Sequence, residues 1–202
     1  PNVPPSVNYR HEPLTAILDR AASNWPTRTA IAFRNWRCTY AQLRRRAGRF
    51  ARGLRDLGVR PGDRVALMLP NLPQTLVSYW GALYAGATVV FVNPLYMETE
   101  LTHILEDSGA KVLVALDLLL ARHSRLLRGS KLERILVTRI SGALGFPLNW
   151  LYRLKAWREG KLPSLGLDGR RVLAWESALA RETLFEPGEN PARDLAMLQY
   201  TG

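Results

Sequence analysis

The stretch Pro61-Gly62-Asp63-Arg64-Val65-Ala66-Leu67-Met68-Leu69-Pro70-Asn71, residues 61–71, decides the fold of this chain. Its first three residues form a turn signal, because proline presets one backbone angle and glycine accepts a left-handed one. Residues 64–69 then form a strand-like run in which every side chain after Arg64 is apolar. Strands buried on both faces have this pattern, whereas strands with one wet face alternate apolar and polar residues. The stretch therefore predicts a central strand of a parallel sheet.

The residues downstream alternate between helix and strand. Pro73 opens a helix with apolar side chains at helical spacing, and Gly86 closes it. The pattern then predicts a strand at 87–92, a helix at 98–107, a strand at 111–115, a helix at 118–127, a strand at 134–138 and a last strand at 195–200. This alternation predicts an α/β fold: a three-layer domain whose mostly parallel sheet is covered by helices on both faces, with right-handed crossovers.

Two regions depart from the alternation. Upstream, the sequence predicts a helix at 14–22, a hairpin at 30–33 and 37–40, and a capping box of Thr39 and Gln42 that starts a long amphipathic helix. Residues 140–191 are interrupted by glycine and proline, and only 149–159 and 175–181 have helical character. We predict that 140–191 is an irregular, basic excursion on the surface of one domain and not a second domain.

The composition is that of a globular protein with excess positive charge. The 202 residues are 47% hydrophobic and 22% charged, with a formal net charge of +11, and only four of the 28 basic residues are lysine. This charge suits nucleic acid, anionic membranes and anionic small molecules alike. The single cysteine, Cys38, excludes an internal disulfide and fits a reducing compartment; we interpret it as a packed side chain.

Targeting and metal-binding signals are missing from the sequence. Residues 1–13 are polar and proline-rich without an apolar core, so they predict no signal peptide. The apolar runs are shorter than the roughly 20 residues of a membrane-spanning helix. His11, His103 and His123 have no carboxylate or cysteine at ligand spacing, so we predict no metal site. We expect a cytoplasmic protein that is at most peripheral to the inner face of the membrane.

Two segments together resemble the adenylate-forming superfamily and, within it, bacterial long-chain fatty-acid–CoA ligases. The first covers residues 58–71 and continues through Gly81-Ala82-Leu83-Tyr84-Ala85-Gly86-Ala87 to Asn93-Pro94-Leu95-Tyr96. The second is the closing Leu198-Gln199-Tyr200-Thr201-Gly202, which is similar to the opening of that family's phosphate loop. Their order and spacing make the resemblance specific. It covers nearly all of the chain from about residue 14 onward and is weakest over 140–191.

The resemblance implies an ATP-dependent reaction in two halves. A fatty-acid carboxylate attacks the α-phosphate of ATP and gives an acyl-adenylate and pyrophosphate; the thiol of coenzyme A then displaces AMP. Mg²⁺ would screen the phosphates, and Tyr200, Thr201 and Gly202 would begin the ATP phosphate loop. The implied cofactors are ATP, Mg²⁺ and coenzyme A, and the implied partner is a fatty acid.

The resemblance also implies that residues 1–202 are a truncated N-terminal portion of the AMP-binding domain, with 1–13 as a leading segment and the C-terminal domain absent. The rest of the phosphate loop, the acidic metal ligand and the catalytic lysine are absent as well. We therefore expect no catalytic or metal-binding residue in this chain and no activity from it alone. Loss of the remaining enzyme should expose apolar surface and promote self-association. Chain-length preference is not predicted, because most acyl-pocket residues lie beyond Gly202.

Several conspicuous residues have two interpretations. Gly81 to Gly86 form either a phosphate cradle or a helix-packing and capping site; the second is favoured, because they end a helix. Asn93-Pro94 is either a border of the substrate cleft or a structural turn. Trp80 and Tyr84, one helical turn apart, line either an acyl channel or the core.

A different class of protein stays open: a free-standing basic α/β module that binds an anionic membrane surface or nucleic acid. The predicted amphipathic helix carries six arginines, Arg44, Arg45, Arg46, Arg49, Arg52 and Arg55, for which a solvated face is the default. No nucleic-acid motif accompanies them, so we expect no nucleic-acid partner. The segment 146–158, from Phe146 to Arg158, mixes aromatic with basic residues. This composition suits a helix in peripheral contact with a membrane, and the alternative is a surface excursion folded back onto its own core.

Overall fold

The computed structural model describes residues 12–158, 171–179 and 195–200. Its strands are β1 (Thr29–Phe33), β2 (Trp36–Thr39), β3 (Arg64–Met68), β4 (Thr88–Phe91), β5 (Val112–Leu116), β6 (Arg134–Thr138), β7 (Val172–Ala174) and β8 (Met197–Gln199). Six of them form one sheet in the order β7-β6-β5-β3-β4-β8, and every neighbouring pair is parallel. The strands β1 and β2 form a separate antiparallel hairpin.

Helices cover both faces of the sheet. The α-helices are α1 (Thr15–Asn24), α2 (Tyr40–Asp56), α3 (Pro73–Tyr84), α4 (Glu98–Ser108), α5 (Asp117–Arg122), α6 (Ser124–Gly129) and α7 (Leu148–Arg158), and two 3₁₀ helices span Ile140–Ala143 and Trp175–Leu179. Side chains of α1, α2 and α3 pack on one face of the sheet, whereas those of α4, α5 and α6 pack on the other. The predicted three-layer α/β architecture is confirmed.

The strand β3 shows why its sequence decides the fold. Successive side chains of a strand point to opposite faces. Val65 and Leu67 accordingly join the core beneath α2 and α3, while Ala66 and Met68 join the core beneath α4. All four are at most 1% exposed, so both faces of the strand must be apolar.

The helix α2 begins as the sequence predicted. The hydroxyl Oγ1 of Thr39 accepts a hydrogen bond from the backbone N–H of Gln42 at 3.3 Å, and the N–H of Thr39 donates to Oε1 of Gln42 at 3.0 Å. This reciprocal pair satisfies two backbone donors that a helix start leaves unpaired. The neighbouring Cys38 is buried, and its burial raises the pKa of the thiol, in agreement with a packed side chain.

Two features differ from the sequence analysis. The single helix predicted at 118–127 is wrong, because the chain forms α5 and α6, which break at His123. The backbone of His123 leaves helical values (φ −108°, ψ 16°) and its ring is buried. The strand β7 was not predicted either, since three residues carry too little periodicity to indicate a strand.

The residues after β7 tie the region 140–191 to the core. Trp175 is buried, its ring lies 5.6 Å from that of Phe50, and its Nε1 donates a hydrogen bond to Oγ of Ser78 at 2.8 Å. Residues 172–179 therefore belong to the sheet and the core. They do not form part of a surface excursion. The N-terminal residues 1–11 and the rest of 159–191 lie outside the described residues.

Candidate functional site

The carboxyl ends of the parallel strands meet at one edge of the sheet, which we call the carboxyl edge. The loop after β3 and the loop after β4 open there, and Asp117, Arg139 and Tyr200 directly or closely follow β5, β6 and β8. The connection from β3 leads to β4 on one side, whereas the connection from β5 leads to β6 on the other. Open α/β sheets bind ligands in the crevice that such a change of direction creates.

The strand β8 directs the chain toward this edge. Val89 pairs with Met197 and Phe91 with Gln199 in parallel register, and Oγ1 of Thr88 donates a hydrogen bond to the carbonyl of Leu195 at 2.9 Å. An antiparallel pairing here would have contradicted the predicted position of a phosphate loop. The parallel pairing means that β8 ends at the carboxyl edge, with Tyr200 directly after it.

Tyr200, the last described residue, is held by α4. Its hydroxyl donates a hydrogen bond to Oδ2 of Asp107 at 2.5 Å, and its ring meets the ring of His103 edge-on with centroids 6.4 Å apart. Burial and this bond raise the pKa of Tyr200 to about 12. The side chain thus fixes the end of β8 to a helix. Thr201 and Gly202, the other predicted cofactor-binding residues, lie outside the described residues.

Asp117 and Arg139 form an ion pair between the ends of β5 and β6. Arg139 Nε lies 3.6 Å from Oδ2 of Asp117, and the backbone N–H of Leu118 donates to Oδ1 at 2.8 Å. Burial raises the pKa of Asp117, and the N–H of Leu118 and the charge of Arg139 oppose that rise. Such a shifted carboxyl group at a ligand-binding edge is typical of functional sites.

Gln74 lies beside this pair, in the first turn of α3. Its Nε2 donates hydrogen bonds to Oγ1 of Thr138 at 3.3 Å and to the carbonyl of Arg139 at 3.2 Å. Its buried Oε1 has no hydrogen-bond partner among the described residues. Burial of an amide oxygen without a hydrogen-bond donor costs free energy, so the site suits a ligand that supplies a donor. Sequence analysis missed Gln74, Asp117, Thr138 and Arg139. Their signal was their position at an element end: Gln74 starts a predicted helix, Thr138 ends a predicted strand, and Asp117 and Arg139 follow predicted strands closely.

The loop after β4 is a structural turn. Oδ1 of Asn93 accepts a hydrogen bond from the N–H of Leu95 at 3.0 Å, and the carbonyl of Asn93 accepts one from the N–H of Tyr96 at 3.1 Å. Asparagine commonly stabilises a turn in this way. Of the two interpretations of Asn93-Pro94, the contacts therefore favour the turn.

The glycines of the segment 81–86 pack and terminate a helix. A Cβ added to Gly81 would lie 2.7 Å from Cδ1 of Phe50, and Gly86 has a left-handed φ of +74° at the end of α3. Trp80 is half-buried and Tyr84 is buried in the core, where its hydroxyl donates to Oδ1 of Asp19 at 2.7 Å. The helix-packing interpretation of the glycines and the core interpretation of Tyr84 are confirmed, whereas Trp80 packs against the edge of the same core.

The arginines of α2 make contacts within the chain. Arg44 donates from Nε to Oδ1 of Asp19 at 2.6 Å, Arg52 donates from Nε to Oδ1 of Asp56 at 3.0 Å, and the guanidinium of Arg46 lies 5.5 Å from the ring centre of Trp36. The hydrogen bond to Asp19 raises the pKa of Arg44. Half of this arginine set is thereby engaged by neighbouring side chains of the same fold.

Neither a metal cluster nor a membrane span occurs within the described ranges. In residues 12–158, 171–179 and 195–200, no three His, Cys, Asp or Glu side chains are grouped so that they could hold a metal ion. Over the same ranges, every helix is too short or too polar to cross a lipid bilayer.

Comparison with known proteins agrees with this geometry. The family described as AMP-binding enzyme matches residues 18–202. A long-chain-fatty-acid–CoA ligase of Bacillus subtilis (strain 168) is 36% identical over 205 residues, which cover 100% of this chain and 36% of that protein. One of Salmonella typhimurium is 33% identical over 210 residues, again covering 100% of this chain and 36% of the relative.

A solved structure gives the same fold. The long-chain-fatty-acid–CoA ligase of Archaeoglobus fulgidus superposes with a TM-score of 0.73 at 23% identity, over 98% of this chain and 36% of that one. The chain thus spans about a third of the length of the relatives it matches. The family match over residues 18–202, together with the parallel β8 at the carboxyl edge, shows that this chain belongs to the family of AMP-binding enzymes.

Proposed function

We propose that this chain is the N-terminal part of an enzyme that ligates a long-chain fatty acid to coenzyme A at the expense of ATP. The membership of the AMP-binding family supports the adenylate-forming chemistry. The two bacterial relatives named as long-chain-fatty-acid–CoA ligases support the substrate class. In this proposal the enzyme works in the cytoplasm.

The observation that carries the proposal is the parallel pairing of β8 with β4. It brings the end of β8 to the carboxyl edge. We propose that Thr201 and Gly202, which follow in the sequence, supply a hydroxyl and backbone N–H groups to phosphate oxygens. Tyr200, which opens the predicted loop, would hold it in position through its bond to Asp107.

The chemistry balances in two steps. A carboxylate oxygen of the fatty acid bonds to the α-phosphorus of ATP, and the bond from that phosphorus to the pyrophosphate oxygen breaks. The sulfur of coenzyme A then bonds to the acyl carbon, AMP leaves with the electron pair, and the thiol proton passes to solvent. For the first step this chain supplies the loop donors, which stabilise the charge that builds on the departing pyrophosphate.

The test uses the polypeptide in which this chain continues past Gly202. With ATP, Mg²⁺ and coenzyme A, we expect AMP release that depends on an added long-chain fatty acid such as oleate. The substitution Thr201→Ala should lower kcat by about tenfold to a hundredfold, because one hydroxyl donor to the phosphates is lost. The adjacent Gln199→Ala is the matched control, since Gln199 is exposed in β8, and should change kcat less than about twofold. If no fatty acid tested gives AMP release, the proposal is wrong.

The chain of 202 residues by itself should form no acyl-adenylate. Only Tyr200, Thr201 and Gly202 of the predicted phosphate loop are present in it. Formation of acyl-adenylate by the purified chain, measured as exchange of labelled pyrophosphate into ATP, would show that the proposal assigns the catalytic groups to the wrong part of the protein.

A further inference from the structure

The side-chain amide of Gln74 is buried, and only its nitrogen is hydrogen-bonded. Gln74 is 2% exposed, and its Nε2 donates to Oγ1 of Thr138 and to the carbonyl of Arg139. These partners fix which end of the amide is the nitrogen, because a backbone carbonyl can only accept. Oε1 is therefore the free end, without a partner among the described residues. Buried polar atoms of folded proteins are nearly always hydrogen-bonded, so this oxygen suits a ligand that donates to it.

A cavity of about 490 Å³ lies next to this amide, at the carboxyl ends of β6 and β7. Its apolar lining comes from Val137, Val172 and Leu173, and its lining also includes Gly142 and Glu176. Cavities of this size, in which a few polar groups lie among apolar side chains, are typical of small-molecule sites.

The glycine at position 142 brings the cavity and Gln74 together. A Cβ added to Gly142 would lie 3.0 Å from Nε2 of Gln74 and 3.3 Å from Oε1 of Glu176. The amide of Gln74 and the carboxylate of Glu176 therefore border the same small space, which a side chain at position 142 would fill. The backbone of Gly142 does not itself require glycine, since its φ lies outside the left-handed region.

The charges around this space favour a positively charged donor. The carboxylate of Glu176 forms no ion pair with any residue that the structure describes. Arg139, a cation that lines the same cavity, is already paired with Asp117, with Nε 3.6 Å from Oδ2. An ammonium group beside Gly142 would donate to both free acceptors, and charge-assisted hydrogen bonds are stronger than neutral ones.

We propose that this cavity binds a small primary amine. Its ammonium group lies beside Gly142 and donates to Oε1 of Gln74 and to the carboxylate of Glu176, while its hydrocarbon part packs on the apolar lining at the ends of β6 and β7. The strands β7 and β8 are the two outer strands of the sheet, so this site is separate from the end of β8. The proposal therefore does not depend on the proposed ligase reaction.

The test is a titration of the nitrogen-15-labelled chain of 202 residues with butylammonium chloride, followed by nuclear magnetic resonance. The signals of the backbone N–H groups of Gly142 and Glu176 and of the side-chain amide of Gln74 should shift and saturate. We expect a Kd on the order of 1–10 mM, because so small a ligand makes few contacts. Butyramide, a neutral donor, should bind more weakly by about threefold to tenfold. Sodium butyrate, an anion of similar length, should cause no saturable shift at these positions.

Two substitutions and a matched control locate the amine. Gly142→Ala fills the space between the two acceptors and should weaken butylammonium binding by about tenfold or more. Glu176→Gln keeps the shape of an exposed side chain but removes its charge, which should weaken binding by about threefold to tenfold. Gly129→Ala is the control, because a Cβ there would meet no described atom within 4 Å, and it should change the Kd by less than about twofold. Circular dichroism checks that all three variants keep the fold of the parent.

Three results would overturn the proposal. Absence of saturable shifts with butylammonium would mean that the cavity takes no amine. An equal or stronger response to butyrate would assign the cavity to an anion held by Arg139. Unchanged binding by a folded Gly142→Ala variant would place the amine elsewhere on the chain. The titration uses neither ATP nor coenzyme A, so its failure leaves the proposed ligase activity unaffected.

Discussion

Replacing Gly81 with alanine tests whether the family-like segment 81–86 packs helices or holds a ligand. The helices α2 and α3 meet so closely that an alanine Cβ would lie 2.7 Å from Cδ1 and 2.9 Å from Cβ of Phe50. Carbon atoms pack best at about 3.5–4.0 Å, so the helices would have to separate by roughly an ångström. Overpacking of this kind costs about 1–3 kcal/mol, against a gain of about 1 kcal/mol from the better helix propensity of alanine.

The matched control is Gly48→Ala in the partner helix. In the described part of the chain no atom lies within 4 Å of the position of a Cβ at Gly48, so this substitution receives the propensity gain without the clash. The gain cancels between the two variants, so Gly81→Ala should be less stable than Gly48→Ala by about 1–3 kcal/mol. For a chain of this size that difference lowers the Tm by roughly 2–12 °C.

The assay is urea and thermal unfolding followed by circular dichroism. Equal stability of the two variants would show that α2 and α3 do not meet at Gly81. A second result would also refute the reasoning: Gly81→Ala with unchanged stability but no fatty-acid-dependent AMP release in the longer polypeptide. That combination would make Gly81 part of the ligand site.

Three further substitutions test other contacts. Trp175→Ala should lower the free energy of unfolding in urea by about 3–5 kcal/mol, whereas Trp150→Ala at an exposed position should lower it by less than about 0.5 kcal/mol. Similar small losses in both variants would mean that residues 172–179 do not anchor the fold. Burial and Asp19 raise the pKa of Tyr84, so Asp19→Asn should lower that pKa. The same substitution should lower the free energy of unfolding by about 1–3 kcal/mol. An unchanged alkaline absorbance titration of Tyr84 would contradict this. Tyr200→Phe should cost less than about 1 kcal/mol near neutral pH. Because the raised pKa of Tyr200 is about 12, that difference should shrink as the pH rises from about 10 to 12, and a constant difference would disprove the bond.

The architecture was predictable because a short stretch of sequence is enough to indicate that a strand is buried on one face or on both. The apolar run after Arg64 has no polar position to turn toward water, so it had to be covered on both sides, and β6 was predicted at its observed bounds. The capping box of Thr39 was predictable because its two hydrogen bonds are local, three residues apart.

The candidate site was less predictable, because its contacts join residues distant in sequence. Gln74 donates a hydrogen bond to Thr138, which lies 64 residues later in the sequence. Nothing near Gln74 in the sequence distinguishes it from any other polar residue in the first turn of a helix. The contact of Tyr200 was not predictable for the same reason, because its hydroxyl reaches Asp107, 93 residues earlier. Its predicted place at the opening of the phosphate loop stays a prediction. Trp175 bonds Ser78 across 97 positions and was hidden in a region of weak pattern.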